Sequence, residues 1–359
     1  MNDSEVFRLG ELFCGPGGLA CGALAAKAES KEKVRYRIRH QWANDRDADT
    51  CDTYRQNICP KDPESVIQAD IRDLDMDALQ PIDALAFGFP CNDFSVVGKQ
   101  KGVDGKYGLL YEYGIKALEK FRPRWFVAEN VDGLRSANSG AAFSRILMEL
   151  RDAGYDITPH MYKFEDYGIP QSRHRIIIVG FRHDVHLPQA YQVPSPAPYA
   201  EIDNSCRHAL EVPPISDGAP NHEMPRQTKR VRERLSYIRP GQNVFTADLP
   251  EELRLKINGA RISQIYRRLD PDRPAYTVTG SGGGGTHIYH YHEDRALTNR
   301  ERARLQTFAD DFVFSGGRES VRRQIGMAVP CRAAEIIFTS ILNTWAGIAY
   351  EGVEPNITL

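Results

Sequence analysis

The strongest constraint on how this chain folds is a repeated alternation. The apolar runs FRLGELFC (7–14), IRHQWAND (38–45), DALAFGFPC (83–91), RWFVAENV (124–131) and RIIIVGF (175–181) are separated by segments long enough to hold a helix between most neighbours. Short apolar runs of this kind read as strands, and strands spaced by helix-length segments read as βα units. The expected fold class is therefore α/β, a doubly wound and mainly parallel sheet. At 359 residues the chain is too long for one small core, so either one large unit or two domains is expected.

After Arg182 the texture changes. The stretch LPQAYQVPSPAPYAEI is rich in proline, which supplies no ladder donors, and reads as a linker. A second region then begins near residue 188, rich in arginine, holding the glycine run Gly282–Gly285 and lacking a long apolar strand before THIYHYH. The tail reads as a buried helix that returns to the first domain, with Pro330 near the start of the run AAEIIFTSILNTWAGIA. The expected division is 1–187 plus 319–359 for a catalytic and cofactor-binding domain and 188–318 for a smaller recognition domain, with a cleft for a ligand.

Composition excludes several classes. A hydrophobic fraction of 41% and a charged fraction of 26%, with no long polar tract, exclude a disordered or fibrous chain. No signal-peptide pattern and no apolar stretch of membrane-spanning length appear, so a cytoplasmic location without membrane association is expected. The 7 cysteines form no C-x-x-C pair, which argues against a disulfide framework or structural zinc. The net charge of -2 conceals an asymmetry: residues 221–280 hold 12 Lys+Arg against 7 Asp+Glu, and residues 41–100 hold 5 against 12. A region with a basic excess is suited to a polyanion, although a solvated face gives the same signal.

Four motifs carry chemistry. In LFCGPGGL (12–19) a glycine turn between strand and helix lets a ligand lie against the backbone. No Gly-Lys-Ser/Thr follows, which excludes a Walker loop, and a dinucleotide fingerprint fits only loosely. Asp45 and Asp70 each end a later run, where they would meet ribose hydroxyls and an adenine amino group; the competing reading is that each caps the next helix. In GFPCNDFS (88–95), Cys91 sits just past a strand, in a loop facing the cofactor crevice. AENV places Glu129 at the same edge. A thiol and a carboxyl group converging there suit pyrimidine chemistry: C5 of cytosine is a weak nucleophile until a thiolate adds at C6, and a carboxyl near N3 stabilises the developing charge. An isolated cysteine is otherwise a buried inert thiol. In QSRHR (171–175), Arg173 and Arg175 alternate on one side of an extended segment, two guanidinium forks for a base carbonyl and phosphates or, equally, a salt-bridged strand entrance.

Together these motifs resemble the C5-cytosine DNA methyltransferase family, in the family's order and across most of the chain. FCGPGGL resembles its cofactor motif, PCNDFS its nucleophile loop, ENV its glutamate motif and QSRHR its arginine motif, with RALTNRERARLQTFADDF and RQIGMAVP resembling the last two. The resemblance implies a Rossmann-like methyltransferase fold and S-adenosylmethionine as cofactor. It implies that Cys91 attacks C6, that Glu129 contacts N3 and the amino group, that Arg175 contacts O2 and that Arg173 supports the loop. Phe13 would pack on adenine, and Cys14, Gly15, Gly17, Gly18, Leu19, Asp45, Asp70, Ile71, Pro90 and Met327 would complete the cofactor site. On the DNA side it implies Ser95 and Gln171, with Thr277 against backbone phosphate. The region between Arg182 and Arg295 would read the target, with Arg226, Lys229, Arg230, Arg232, Arg261, Arg267 and Arg268 as candidates. A stacked base cannot present C6 to a thiolate, so the cytosine must leave the duplex.

The expected partner is double-stranded DNA, the default state is a monomer at the nucleoid, and a cognate restriction endonuclease acting on the same site is left open. Asn92 stands where the family more often has Gln, Asp45 where Glu is commoner, and Met327 where it has Asn, which removes a polar contact near the cofactor. His287, His290 and His292 have metal-like spacing but no carboxylate or Cys partner, so no metal is expected. Three alternatives differ in class. A transfer-RNA cytosine methyltransferase would share the catalytic core, a silent DNA-binding relative would follow from Met327, and an oxidoreductase would explain only the glycine loop.

Overall fold

The computed structural model describes residues 4–89, 110–135, 140–255, 263–283 and 285–358. They form two compact units. One comprises Met1–Phe164, His174–Pro198 and Cys331–Leu359, the other Glu165–Arg173 and Tyr199–Pro330. The second unit thus opens later than residue 188, closes later than residue 318, and takes in a short segment around Gln171.

Strands and helices are numbered in chain order. The first unit holds β1 (Ser4–Leu12), α1 (Gly18–Ala25), β2 (Lys27–Glu29), β3 (Arg35–Asp45), α2 (Ala48–Asn57), β4 (Val66–Gln68), β5 (Ala84–Gly88), α3 (Tyr111–Phe121), β6 (Trp125–Val131), α4 (Ala141–Asp152) and β7 (Tyr155–Lys163). The chain passes through the second unit at β8 (Gln171–Ser172) and returns as β9 (His174–Arg182) and β10 (Val193–Pro194). The second unit adds α5 (Cys206–Glu211), α6 (Lys229–Ser236), β11 (Ala275–Tyr276), α7 (Asn299–Leu305) and α8 (Arg318–Met327). The first unit ends with α9 (Cys331–Ala346) and β12 (Gly352–Val353).

An eight-stranded sheet in the order β2-β3-β1-β5-β6-β9-β7, with β4 also on β3, organises the first unit. β4, β3, β1, β5 and β6 are mutually parallel where they pair, and β9 and β7 close one edge antiparallel. The interior strand β5, Ala-Leu-Ala-Phe-Gly, is apolar without alternation because both of its faces are covered. On one face Leu118 of α3 and Ile146 and Leu150 of α4 bury against Phe87, Phe126 and Ile178. On the other Phe7 meets Trp125 at a ring separation of 5.7 Å, and Trp125 meets Phe338 of α9 at 5.9 Å. This is the doubly wound α/β architecture expected from the sequence.

The proline-rich stretch is not a free linker. Val193 is buried, β10 pairs antiparallel with β12, and Gln189 Nε2 donates to Asn343 O at 3.2 Å and Ile348 O at 2.6 Å. Proline withholds a donor but still accepts, and here Ser195 supplies the N–H, 2.8 Å from Glu351 O. THIYHYH forms no strand, only isolated bridges from Tyr289 to Arg268 and Ala296. The run 318–346 has the length and hydropathy of a membrane span, but 72% of its apolar window is buried inside the protein and it breaks between α8 and α9.

Candidate active site

Strand register brings the carboxyl ends of the parallel strands to one edge of the first unit. Leu12 lies opposite Asn44 and Phe87, Asn44 opposite Ile67, and Gly88 opposite Glu129. This is the edge at which open α/β sheets bind ligands.

The glycine loop leaves β1 through backbone that side chains resist: Phe13 has φ 54°, Gly15 57° and Gly17 97°. Cys14 N–H donates to Asn44 O at 3.0 Å and Gly15 N–H to Asp45 Oδ2 at 3.1 Å, which fixes the loop on the end of β3. A Cβ on Gly15 would meet nothing within 4 Å, so the loop faces open space there. Phe13 is half-buried, and Cys14, Gly17, Gly18 and Leu19 are buried. Asp45 does not cap α2. That role falls to Asp47, whose Oδ1 accepts from Thr50 N–H at 3.0 Å, while Asp45 Oδ1 accepts from Asp47 N–H at 3.0 Å. Burial raises the Asp45 carboxyl above the ordinary aspartate range. Asp70 does cap a short turn, Ile71–Asp73, and the Arg72 guanidinium on its two oxygens holds its carboxyl well below the usual range. Ile71 is buried at its side.

Glu11, one strand residue before Leu12, was not singled out by the sequence. It is 1% exposed and accepts from Tyr54 Oη at 3.1 Å. Burial pushes its carboxyl up to about 8, against the pull of the Tyr54 hydrogen bond, so at neutral pH it is mostly a neutral acid under the glycine loop. Tyr54 Oη also lies 3.2 Å from His40 Nδ1, and His40 Nε2 lies 2.8 Å from Ser65 Oγ.

At the other half of the edge, Glu129 on β6 pairs with Arg175 on β9, Oε1 to Nε 2.8 Å, both side chains 13% exposed. Antiparallel register explains the meeting, since Val131 lies opposite Arg175 and Glu129 opposite Ile177. Asn130, 3% exposed, donates through Nδ2 to Phe89 O at 3.1 Å and accepts from Val131 N–H at 2.9 Å. Asn130 thus clamps the last described residue before the Pro-Cys loop. Its signal lay in the Glu-Asn-Val motif, which the sequence reading used only for the glutamate. Pro90, Cys91 and Ser95, like Arg261, lie outside the described residues.

The chain passes from the second unit to the first between Arg173 and His174, and the two arginines engage different partners. In the second unit Arg173 is 1% exposed and donates to Val278 O and Gly326 O, each at 3.1 Å. Gln171 is fully buried: its Nε2 donates to Leu305 O at 3.1 Å and Gln306 Oε1 at 2.9 Å, and its Oε1 accepts from Val278 N–H at 2.8 Å. Thr277 is half-buried with its hydroxyl on Ser172 O at 2.7 Å. Arg268 is also interior, bonded to Leu235 O, His290 O and Glu293 O and paired with Asp294. Gln171 and Arg268 thus serve packing, with their polar groups consumed inside the unit. Arg226, Lys229, Arg230 and Arg232 are exposed, the last three on α6, and Arg267 is half-buried over the Tyr276 ring at 4.6 Å. Met327 ends α8 and is 59% exposed. Among the described residues no group of three or more His, Cys, Asp or Glu is placed to hold a metal ion, and His290 Nδ1 accepts instead from His292 N–H at 3.1 Å.

Comparison with known proteins gives the family. Residues 7–343 match the model of the C-5 cytosine-specific DNA methylase family. Type II methyltransferase M.BbvI of Brevibacillus brevis is 53% identical over 97% of this chain and 94% of its own. Type II methyltransferase M.NgoFVII of Neisseria gonorrhoeae is 36% identical over 92% of this chain and 85% of its own. Among solved structures, an Escherichia coli prophage-encoded protein described as a putative DNA modification methyltransferase superposes with a TM-score of 0.68 at 22% identity. That match covers 94% of this chain and 99% of the other, a likeness of fold. The chain belongs to the C-5 cytosine-specific DNA methylase family and is a cytosine-5 DNA methyltransferase of the Type II restriction-modification kind.

Proposed function

We propose that the protein transfers a methyl group from S-adenosylmethionine to C5 of a cytosine flipped out of a specific duplex sequence, through a transient bond between Cys91 and C6. The observation that carries the reading is the Glu129–Arg175 pair, 2.8 Å apart at the sheet edge where β5 ends and the Pro-Cys loop begins. Glu129 contacts N3 and the amino group of the base and Arg175 its O2. Attack of the Cys91 thiolate on C6 pushes electrons to N3 and C5, and a proton delivered from the Glu129 carboxyl neutralises the charge at N3. C5 would then take the methyl carbon as the carbon–sulfur bond of the cofactor breaks and its sulfur leaves as a thioether. Loss of the C5 proton to water, return of the N3 proton to Glu129 and expulsion of the thiolate restore the aromatic ring and free Cys91. Arg173 braces the arginine segment from the second unit and Asn130 holds the loop entrance.

The residues at the sheet edge fit an adenosine-containing cofactor: open space over Gly15, the half-buried Phe13 ring, and carboxylates on the ends of successive strands at Asp45 and Asp70. Asp45 would take the ribose hydroxyls, Asp70 and Ile71 the adenine, with Cys14, Gly17, Gly18, Leu19, Pro90 and Met327 around them. When bound, S-adenosylmethionine supplies an electrophilic methyl group on sulfur. Target recognition falls to the second unit, through Thr277 and the exposed Arg226, Lys229, Arg230 and Arg232, with Arg261, Arg267 and the Ser95 loop. The enzyme works as a monomer on chromosomal DNA in the cytoplasm, protecting sites that a cognate endonuclease would cut.

The test is incubation with methyl-labelled S-adenosylmethionine and unmethylated duplex DNA, followed by nucleoside analysis and bisulfite sequencing. Label in 5-methylcytosine within one short sequence context supports the proposal. Label in another nucleoside, or in RNA to an equal extent, overturns it.

A further inference from the structure

Glu11 is a buried acid that the methyl-transfer chemistry leaves unused. It stands between Ala43 of β3 and Ala86 of β5 in the sheet register. Its carboxyl is met by Tyr54 Oη at 3.1 Å, and no basic side chain forms an ion pair with it among the described residues. The ionisable groups around it are acidic or neutral. Asp45, at the end of β3, has its two carboxyl oxygens on the N–H groups of Gly15 and Asp47. The thiols of Cys14, Cys51 and Cys59 cluster with Tyr54, and burial raises each of them and keeps it protonated.

Tyr54 ties this acid to the glycine loop. A Cβ on Gly17 would stand 3.2 Å from Tyr54 Cδ2 and 2.8 Å from Ile58 Cγ1, so the loop lies directly on the ring. From the Tyr54 hydroxyl a chain of hydrogen bonds leads outward. Tyr54 Oη lies 3.2 Å from His40 Nδ1, His40 Nε2 lies 2.8 Å from Ser65 Oγ, and Ser65 Oγ donates to Asp62 O at 2.5 Å. Exposure rises along the way: Glu11 and Tyr54 are buried, His40 and Ser65 half-buried, and Asp62 exposed.

Donor count fixes the direction of the chain, because Tyr54 brings one hydrogen to two neighbours. With Glu11 neutral, its O–H donates to Tyr54, Tyr54 O–H to His40 Nδ1, His40 Nε2–H to Ser65, and Ser65 O–H to Asp62 O. Every hydrogen then has an acceptor. Burial lowers His40 to about 4, so its ring is neutral and offers the one donor and one acceptor required. With Glu11 ionised the bonds reverse: Ser65 O–H donates to His40 Nε2, His40 Nδ1–H to Tyr54, and Tyr54 O–H to Glu11.

We infer that Glu11, Tyr54, His40 and Ser65 form a proton wire, and that Glu11 releases its proton to solvent through it when a sulfonium cofactor occupies the glycine loop. This rests on the reading of that loop as the S-adenosylmethionine site. Glu11 passes its hydrogen to Tyr54 Oη, Tyr54 its own to His40 Nδ1, His40 the one on Nε2 to Ser65 Oγ, and Ser65 its own to a water molecule. One proton leaves and the Glu11 carboxylate remains. A positive charge brought into an interior poor in cations favours the ionised carboxyl. Ionised Glu11 in turn favours the sulfonium cofactor over its neutral thioether product.

Titration calorimetry on the full-length enzyme near neutral pH, in buffers of different ionisation enthalpy, counts the protons. Wild type releases about one proton more per S-adenosylmethionine bound than Glu11→Gln. With S-adenosylhomocysteine, whose sulfur is uncharged, the two proteins release the same number. The wild-type preference for S-adenosylmethionine over S-adenosylhomocysteine rises with pH by up to about tenfold per unit and levels off above about 8. In stopped-flow mixing with a pH indicator, His40→Gln binds the cofactor but loses the rapid phase of proton release. Equal proton counts in wild type and Glu11→Gln overturn the role of Glu11, and an unaltered release rate in His40→Gln overturns the wire. If Glu11→Gln does not fold, a wild-type preference that stays constant with pH refutes the proposal by itself. A wild type that binds neither ligand fails the cofactor reading instead.

Discussion

Replacing Glu11 by glutamine isolates the effect of one buried carboxyl under the glycine loop. The wild-type group has a folded-state value near 8 against 4.5 for an ordinary glutamate, with burial as the main cause. A folded value above the unfolded one means that the folded state holds its proton longer. The stabilisation is fully present below pH 4.5 and is lost as pH rises through about 8. Over that window the loss is about 1.4 kcal/mol per pH unit. Glutamine keeps the shape and an oxygen to accept from Tyr54 but does not titrate. Between pH 5.5 and pH 7.5 the variant therefore gains roughly 2.7 kcal/mol on the wild type. At ~2 °C or more per kcal/mol, its melting temperature relative to the wild type rises by about 5 °C across that range. Other titrating groups, Asp45 and His40 among them, are present in both proteins and largely cancel in the difference. Thermal melts at half-unit pH steps read it directly. A melting-temperature difference that stays constant with pH refutes the argument and means that Glu11 is ionised in the fold.

Two further outcomes follow. Asn130→Ala leaves Phe89 O without its buried donor, costs about 1–3 kcal/mol of stability, and lowers kcat more than KM because it loosens the entrance of the Pro-Cys loop; an unchanged kcat in methyl-transfer assays would show that the loop is set elsewhere. Met327→Asn at its 59%-exposed position changes stability by less than about 0.5 kcal/mol and strengthens S-adenosylmethionine binding or turnover, measured by calorimetry and labelled methyl transfer, whereas no change in either removes Met327 from the cofactor site.

The first unit was legible because strand physics writes itself into sequence. Ala84–Gly88 and the first four residues of Trp125–Val131 are apolar and buried because both faces of the sheet are covered, the glycine loop follows the end of β1, and Glu129 stands near the end of β6. Glu11 was not legible: a single acid in Phe-Arg-Leu-Gly-Glu-Leu looks like an outward-facing strand position, and only the packing of Tyr54 over it makes it interior. The different partners of Arg173 and Arg175 were not legible, because period-two alternation carries no sign that the chain changes units between them. The second unit carries little periodicity to read. Its helices are short, and its loops are held by arginines reaching carbonyls, as Arg234 reaches Leu253 O at 2.8 Å and Arg268 reaches His290 O at 2.7 Å. Charge counts over residues 221–280 therefore overstate the basic surface, since part of that charge is spent inside.

The most direct test of the account is a covalent trap. Duplex DNA carrying 5-fluorocytosine at the target position cannot lose its C5 substituent as a proton, so the adduct formed by the nucleophile persists after methyl transfer. With S-adenosylmethionine present, the wild-type enzyme is expected to give a denaturation-resistant protein–DNA species whose peptide map places the attachment at Cys91. Cys91→Ser is expected to give none while still binding cofactor. A trapped species that survives in Cys91→Ser, or one mapped to another residue, contradicts the mechanism.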